Sequence, residues 1–532
     1  MFTAFLENLP TGVYYILSGF GIILFILLYL RWTSDFFSHR IFKLFFALFS
    51  TIALLALLFL FIFQNKPTEK LRIAIFPFYN TTPDSNTNWM AWAMPDIIAK
   101  NLNFETAKDY FWYPPCDIRE MVLTDSLSYQ EYQKRVAKQL KLDVFMIGQT
   151  GKNEHSFFCE YQVKAVDSGT LFSERFMFDN IDTLYVRGLK IAKKFQNRIF
   201  DQNSIQTSNL PKFRTSSLIL YYRAQNAVFE NKIASANSLI NQAIKEDSTN
   251  TYFWLLLAET KLKEGAFAKK NGETYQSAYD LAWRCLKTAH RLDSSLTQIN
   301  QLKAQYYILT EKWAGAEQEL ITLYRINPNL PLIYLYFSQL HPSRFHLIGF
   351  ENEIKLLERA LFLNPGYLPA AMSLADYYID FLQDRRKAIA TLNKMLEINP
   401  NQTQVLMRLG QLYISENNNF QVMEIFRKIL ELEPDNSNAY YNLGIYYHNH
   451  EDMKNALNLF ERAIQIDNHL DAHLYAAYIF EHNCSTEPDS VRRDSLLNQA
   501  IEHLRYRLKN KRGKDDPYAK AAREHLYQIF HH

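Results

Sequence analysis

Two stretches of the chain, VLMRLGQLYISENNNFQVMEIFRKILELEP and AYYNLGIYYHNHEDMKNALNLFERAIQIDN, superimpose at a spacing of 34 residues. Leu409 and Gly410 match Leu443 and Gly444, Tyr413 matches Tyr447, and Phe426 matches Phe460. Pro400 and Pro434 keep the same spacing, each at the end of a helical pattern, and Pro328 and Pro365 also end helical patterns upstream. A period of this length is one pair of helices, and one pair cannot bury its apolar face alone. Neighbouring pairs must stack, so the carboxyl-terminal part of the chain is expected to be an open array with one continuous core rather than a closed globule.

Each matched unit carries a small residue where its two helices cross. Gly410 and Gly444 stand in first helices, and Ala236, Ala243, Ala282, Ala289, Ala388, Ala456 and Ala463 fill the crossing positions of second helices. This pattern resembles the tetratricopeptide repeat. Units begin near Ser217, Thr251, Thr297, Pro331, Pro369, Thr403, Ser437 and Asp471, which gives about eight helix pairs over residues 215–510 and a capping helix or tail over 511–532. The resemblance implies an all-α solenoid, a right-handed superhelix whose first helices line the concave side and present it to a protein partner. In the best units the outward positions of that face are Tyr377, Met407, Gln411, Tyr441, His448 and Tyr475. Tyrosine is favoured at such surfaces because it is large, rigid and amphipathic. Asn442 sits where carboxylate-clamp repeats carry Asn, but no matching Lys and Arg set recurs in successive units.

The opposite end is apolar. Residues 11–30 and 44–63 are two uncharged runs of twenty, TGVYYILSGFGIILFILLYL and LFFALFSTIALLALLFLFIF. Each is about 30 Å long as a helix, the thickness of a bilayer's hydrocarbon. Residues 1–64 are therefore expected to form a transmembrane α-hairpin. No positive segment precedes the first run, which argues against a signal peptide. Arg31, Arg40 and Lys43 lie between the runs, so the positive-inside rule puts that loop in the cytoplasm and the body outside it, with a cytoplasmic body as the alternative.

Between membrane and array, residues 71–200 read as a small α/β domain with a mixed sheet. LRIAIFPF is a buried-strand pattern closed by a turn, NWMAWAMPDIIAKNL has helical spacing, and LDVFMIGQT, SFFCEYQVKAVD and TLFSERFMF are strand-like runs joined by short turns. The order β-α-β-α-β-β-β-α suits a sheet covered by helices. RIAIFPFYNTTPD, with Pro77, Phe78 and Asn80, together with Leu142, Asp143, Val144 and Gly148 and the hairpin from Val166 to Phe176, resembles the TolB amino-terminal-like domain. Ala93 or Met94 stands where that family shows Gly. In relatives, the resemblance implies, this domain lies across a membrane helix from a cyclase, kinase or winged-helix output domain.

Motifs for chemistry are lacking. The sequence has no G-x-x-x-x-G-K, G-x-G-x-x-G, H-E-x-x-H or G-x-S-x-G, and only 15 glycines. GQTGK, Gly148 to Lys152, reads as a turn between strands. His448, His450, His469 and His473 fall close together but read as solvated or capping residues, since a metal would need a converging third ligand. Lys and Arg number 58 against 55 Asp and Glu, too even for a protein that coats nucleic acid. Cys116 and Cys159 could pair in an oxidising compartment, with independent buried thiols as the other reading. The expectation is a membrane-anchored scaffold at the bacterial inner membrane, with protein partners and no catalytic residues, cofactor or metal of its own. A sensor or regulatory subunit of a transmembrane signalling system is the alternative.

Overall fold

The computed structural model describes residues 70–82, 88–102, 110–115, 118, 129–153, 156–166, 169–179, 183–200, 215–416, 418–513 and 516–531. The chain divides into two compact units, residues 1–70 and 71–532. The apolar runs at 11–30 and 44–63 lie outside the described residues; among the described residues no helix is long and apolar enough to cross a membrane.

The second unit opens with β1 (Leu71–Ile75), β2 (Tyr79–Asn80), α1 (Asn88–Leu102), β3 (Tyr110–Tyr113), α2 (Tyr129–Gln139), β4 (Val144–Lys152), β5 (Phe157–Ala165), β6 (Gly169–Phe178) and α3 (Leu184–Ile199). The strands form one mixed sheet in the order β3-β1-β4-β5-β6, with β2 beside β4. β1 runs parallel to β3 and β4, and the two hairpins β4–β5–β6 are antiparallel. Successive strand residues face opposite ways, and the burial follows. Ile73, Ile75, Met146, Tyr161 and Val163 join one core with residues of α1 and α3. Ala74, Phe76, Phe145 and Ile147 join another with Val136 and Leu140 near α2. Gly148 to Lys152 proves to be strand, not turn: it continues β4 opposite β5. A Cβ at Gly148 would lie 2.8 Å from the Phe78 ring, so only glycine lets that ring close on the strand.

From Thr215 the fold is helical. Eight pairs follow among the described residues: α4 (Thr215–Phe229) with α5 (Ile233–Glu246), α6 (Thr251–Lys270) with α7 (Gln276–Leu292), α8 (Thr297–Leu309) with α9 (Trp313–Ile326), and α10 (Pro331–Ser338) with α11 (Glu353–Leu363). Then come α12 (Leu368–Asp380) with α13 (Arg385–Ile398), α14 (Thr403–Ser415) with α15 (Asn419–Leu432), α16 (Ser437–Asn449) with α17 (Met453–Asp467), and α18 (Leu470–Thr486) with α19 (Ser490–Lys509), closed by α20 (Pro517–His531). The fourth pair is stretched by a 3-10 turn at Pro342–Ile348. Local chemistry starts many of these helices: the side chains of Asn250, Asn352, Asp384, Asn418, Asn436, Asp452 and Asp489 each accept a backbone N–H from the first turn. The crossings are as tight as the small residues suggest, since a Cβ at Gly410 would sit 2.7 Å from the Phe426 ring.

The sheet domain and the first pairs share one core, which runs from Ile73 to Tyr306. Asp96 and Lys100 of α1 meet Tyr221 and Tyr222 of α4. At the β3 edge, Phe111 packs on Phe362 of α11 with centroids 6.0 Å apart, and the Asn329 amide donates to the Tyr110 carbonyl at 3.4 Å. Ile398 of α13 enters the core beneath the second sheet face, and the Gln139 amide donates to the Glu397 carbonyl. Helix pairs one to five are thus engaged with the chain's own α/β domain.

Candidate partner-binding face

The six residues singled out on the first helices fall into three groups. Met407 and Gln411 of α14 flank Asn442 of α16. The Asn442 amide donates to the Asn438 carbonyl at 2.7 Å and to Met407 Sδ at 3.4 Å, while its Oδ1 accepts from Gln411 Nε2 at 3.4 Å. Buried and bonded at both ends, Asn442 is spent inside the array rather than held out as a clamp.

Tyr441, His448 and Tyr475 converge in a second group. Tyr441 lies 5.9 Å from Tyr475, and His448 meets Tyr475 edge-on at 5.5 Å. Tyr475 also stacks on Phe460 at 5.4 Å, and Tyr441 stacks on the His469 ring at 4.5 Å. Tyr478 adds an edge contact to Tyr475 at 5.8 Å. The three rings of Tyr441, His448 and Tyr475 are half-buried, so they offer amphipathic surface without floating free. Burial pushes the Tyr441 phenol far above its ordinary range, aided by Tyr518, and lifts Tyr478 to about 12. These hydroxyls are therefore neutral donors at any physiological pH.

Tyr377 stands apart on α12, stacked at 5.0 Å on Phe381, which is 74% exposed. Between it and α14 lies an ion pair, Arg408 to Asp376 at 2.6 Å. Phe460, His469 and Tyr478 are not among the positions that the sequence assigns to this face: Phe460 enters there only through its match with Phe426, and His469, read as solvated or capping, does cap α18 by accepting from Ala472 N–H at 3.3 Å. His473 departs from the expectation of a solvated or capping residue: it is buried against His503. The expectation failed because pairing with a ring 30 residues away, on the following helix, leaves no local signal.

Among the described residues, no group of three or more His, Cys, Asp or Glu could hold a metal ion. Cys159 and Cys285 are buried free thiols, and burial raises Cys285 to about 11. Cys116, named as a partner for Cys159, lies outside the described residues.

Family models for the tetratricopeptide repeat match residues 403–436 and 425–465. No curated protein matches the chain. Among solved structures, a human IFIT1 dimer with PPP-AAAA is similar at 15% identity and a TM-score of 0.42, covering 62% of this chain and 81% of that one. The crystal structure of MamA is similar at 17% identity and a TM-score of 0.25, over 30% of this chain and 87% of that one. PilW, a type IV pilus biogenesis factor, is similar at 13% identity and a TM-score of 0.31, over 40% and 91%. The helix pairs, their glycine crossings and the family models agree: this chain contains tetratricopeptide repeats, α14 to α17 foremost among them.

Proposed function

We propose that the chain is a non-catalytic scaffold whose first helices α14, α16 and α18 hold a protein partner. We further propose that residues 11–30 and 44–63 anchor it in the bacterial inner membrane with its body on the periplasmic side. Tetratricopeptide repeats point to protein–protein interaction, because stacked pairs make an extended surface from residues that need not build a pocket. One observation supports this location above the rest. Half-buried Tyr441, His448 and Tyr475 form a continuous aromatic group beside exposed Gln411, on pairs six to eight, beyond the pairs seen to hold the α/β domain.

Affinity capture of the full chain from membranes in mild detergent tests the reading. Envelope-assembly proteins are expected to co-purify, and Gln411→Ala with His448→Ala is expected to weaken their capture at least tenfold. Undiminished capture by that variant would remove the face from consideration. Recovery of a cyclase, kinase or DNA-binding protein instead would favour the signalling alternative. A periplasm-dependent reporter enzyme fused after His532 checks the orientation, and an active cytoplasm-dependent one would reverse it.

A further inference from the structure

The eighth helix pair holds a polar arrangement that the scaffold reading does not use. His473 of α18 is 6% exposed, and its Nδ1 lies 2.7 Å from Nδ1 of His503 on α19. The His473 ring stacks on Tyr506 at 4.2 Å, and the His503 ring stacks on Phe480 at 5.6 Å. Two Nδ1 atoms that face each other at this distance share one proton: one ring donates and the other accepts. A proton on each would set two N–H groups head to head in a place with little water. His473 Nε2 is also buried, with no hydrogen-bond partner among the described residues.

The surrounding charges offer an imidazolium on His473 no help, whereas Glu502 favours one on His503 against the burial of that ring. From the cap of α18, His469 lies near His473; from α19, Arg507 does, and both are basic. Asp471, two residues before His473, is engaged by Arg507 at 3.1 Å and Arg512 at 2.9 Å, and Asp516 by Arg507 at 2.8 Å. Glu502 of α19 acts on His503 alone of the pair.

We propose that the His473–His503 pair, which joins α18 to α19, is an acid-sensitive joint, whose protonation unfolds the last helix pair and α20 while the rest of the array stays folded. Among the described residues the eighth pair has another pair on one side only, with α20 alone beyond it, so it can open together with α20 while inner pairs stay folded. Tyr475 lies two residues from His473 on the same helix, so opening dismantles the aromatic group with Tyr441 and His448. Partner release in acid is thus a consequence that rests on the proposed function, whereas the opening itself does not.

Burial, then His503, His469 and Arg507, push His473 down to about 4, and burial lowers His503 as well. An unfolded histidine titrates near 6.5, so the open form takes up the proton first as pH falls. Stability held by the neutral pair is complete above that value and is lost as pH drops toward the folded value. For His473 alone, linkage gives an opening equilibrium raised roughly seventyfold at pH 4.5.

Hydrogen–deuterium exchange of the full chain at pH 7.5 and 4.5, expressed as protection factors, tests the joint. Residues 470–531 are expected to lose tens of fold in protection at pH 4.5, while residues 369–432 keep theirs. In His473→Gln with His503→Gln the acid-specific loss should disappear. The single variant His503→Gln, whose amide can accept from His473 Nδ1 without repelling its charge, should show a smaller loss and remains informative if the double variant unfolds. Equal loss in wild type and His503→Gln, or loss spread evenly over all pairs, would overturn the proposal. So would protection gained by the wild type alone on adding zinc, which would make the pair a metal site.

Discussion

The junction between α1 and the first helix pairs makes a prediction that can be worked from its atoms. Lys100 and Asp96, one turn apart on α1, pair at 2.6 Å with side chains 10% and 24% exposed. Lys100 Nζ also donates to the Tyr221 hydroxyl at 2.9 Å and lies 4.7 Å from the Tyr252 ring centre, while the Tyr222 hydroxyl donates to Asp96 at 2.8 Å. Burial alone would lower the ammonium, but Asp96 and the tyrosines outweigh it and hold Lys100 far above its ordinary range. The lysine therefore stays charged, and Asp96 depends on it. Replacing Lys100 by Met strands a largely buried carboxylate, a change that costs about 3 to 5 kcal/mol in such pairs. At about 1.4 kcal/mol per decade, the opening equilibrium between α1 and α4 rises by roughly two to three and a half decades. Replacing three of the four polar groups with apolar ones, Lys100→Met, Asp96→Leu and Tyr222→Phe, should recover most of the loss, because no charge is left unpaired and the Tyr221 hydroxyl still accepts from Gln225. Exchange of residues 88–102 and 215–229 reads the effect locally, where a global melting curve of so long a chain need not be two-state. Unchanged exchange in Lys100→Met, or equal exchange in the single and triple variants, would refute the reasoning.

Other perturbations follow from the array itself. Gly410→Ala drives a methyl to 2.7 Å from the Phe426 ring, and Gly444→Ala one to 2.6 Å from Phe460; each is expected to cost about 1 to 3 kcal/mol, read as a lower melting temperature of the helical signal. Arg507 is fully buried between Asp471 and Asp516, so Arg507→Ala should cost about 3 to 5 kcal/mol and free α20 for proteolysis ahead of any inner helix. Burial alone would raise Asp516, but the Arg512 N–H and Arg507 hold it below its ordinary range. Its contribution is therefore present above the ordinary aspartate value near 3.9 and is lost as pH falls through the lower folded value, so acid should release α20 even in a chain without His473 and His503; circular dichroism from pH 5 to 2 checks this.

Much of the architecture is legible in the sequence because it is periodic. Gly410, Gly444, Phe426 and Phe460 recur at one spacing, and each glycine does meet its phenylalanine ring. The alternation Ile73, Ala74, Ile75, Phe76 likewise sorts onto the two faces of the sheet. What the sequence conceals is contact between distant residues of unlike pattern. Asp96 and Lys100 look like any surface i, i+4 pair until Tyr221 and Tyr222 arrive from more than a hundred residues away. His473 looks like a solvated residue until His503 covers it. The partner face lies between these cases: its positions follow from the repeat, whereas its grouping into Tyr441, His448 and Tyr475 depends on Phe460 and His469, which the outward spacing does not mark.

These contacts also divide the array by task. A solenoid gains binding surface with every pair, yet here the α/β domain reaches pairs one and two through Tyr221, Tyr222 and Tyr252, and pairs three to five through Asn329, Phe362 and Ile398. Surface spent on holding a neighbouring domain in the same core is not available to a second protein. The stability that those contacts confer is also unequal along the chain, because interactions in a stack pass only between neighbours. The first three pairs are braced by a core shared with the sheet and pairs four and five touch that domain at Phe362 and Ile398, whereas the eighth is held by α17 on one side and by α20, through Arg507 and its carboxylates, on the other. A partner that grips α14, α16 and α18 therefore binds the end of the molecule that opens most easily, and its binding should protect residues 470–531 from exchange more than residues 215–309.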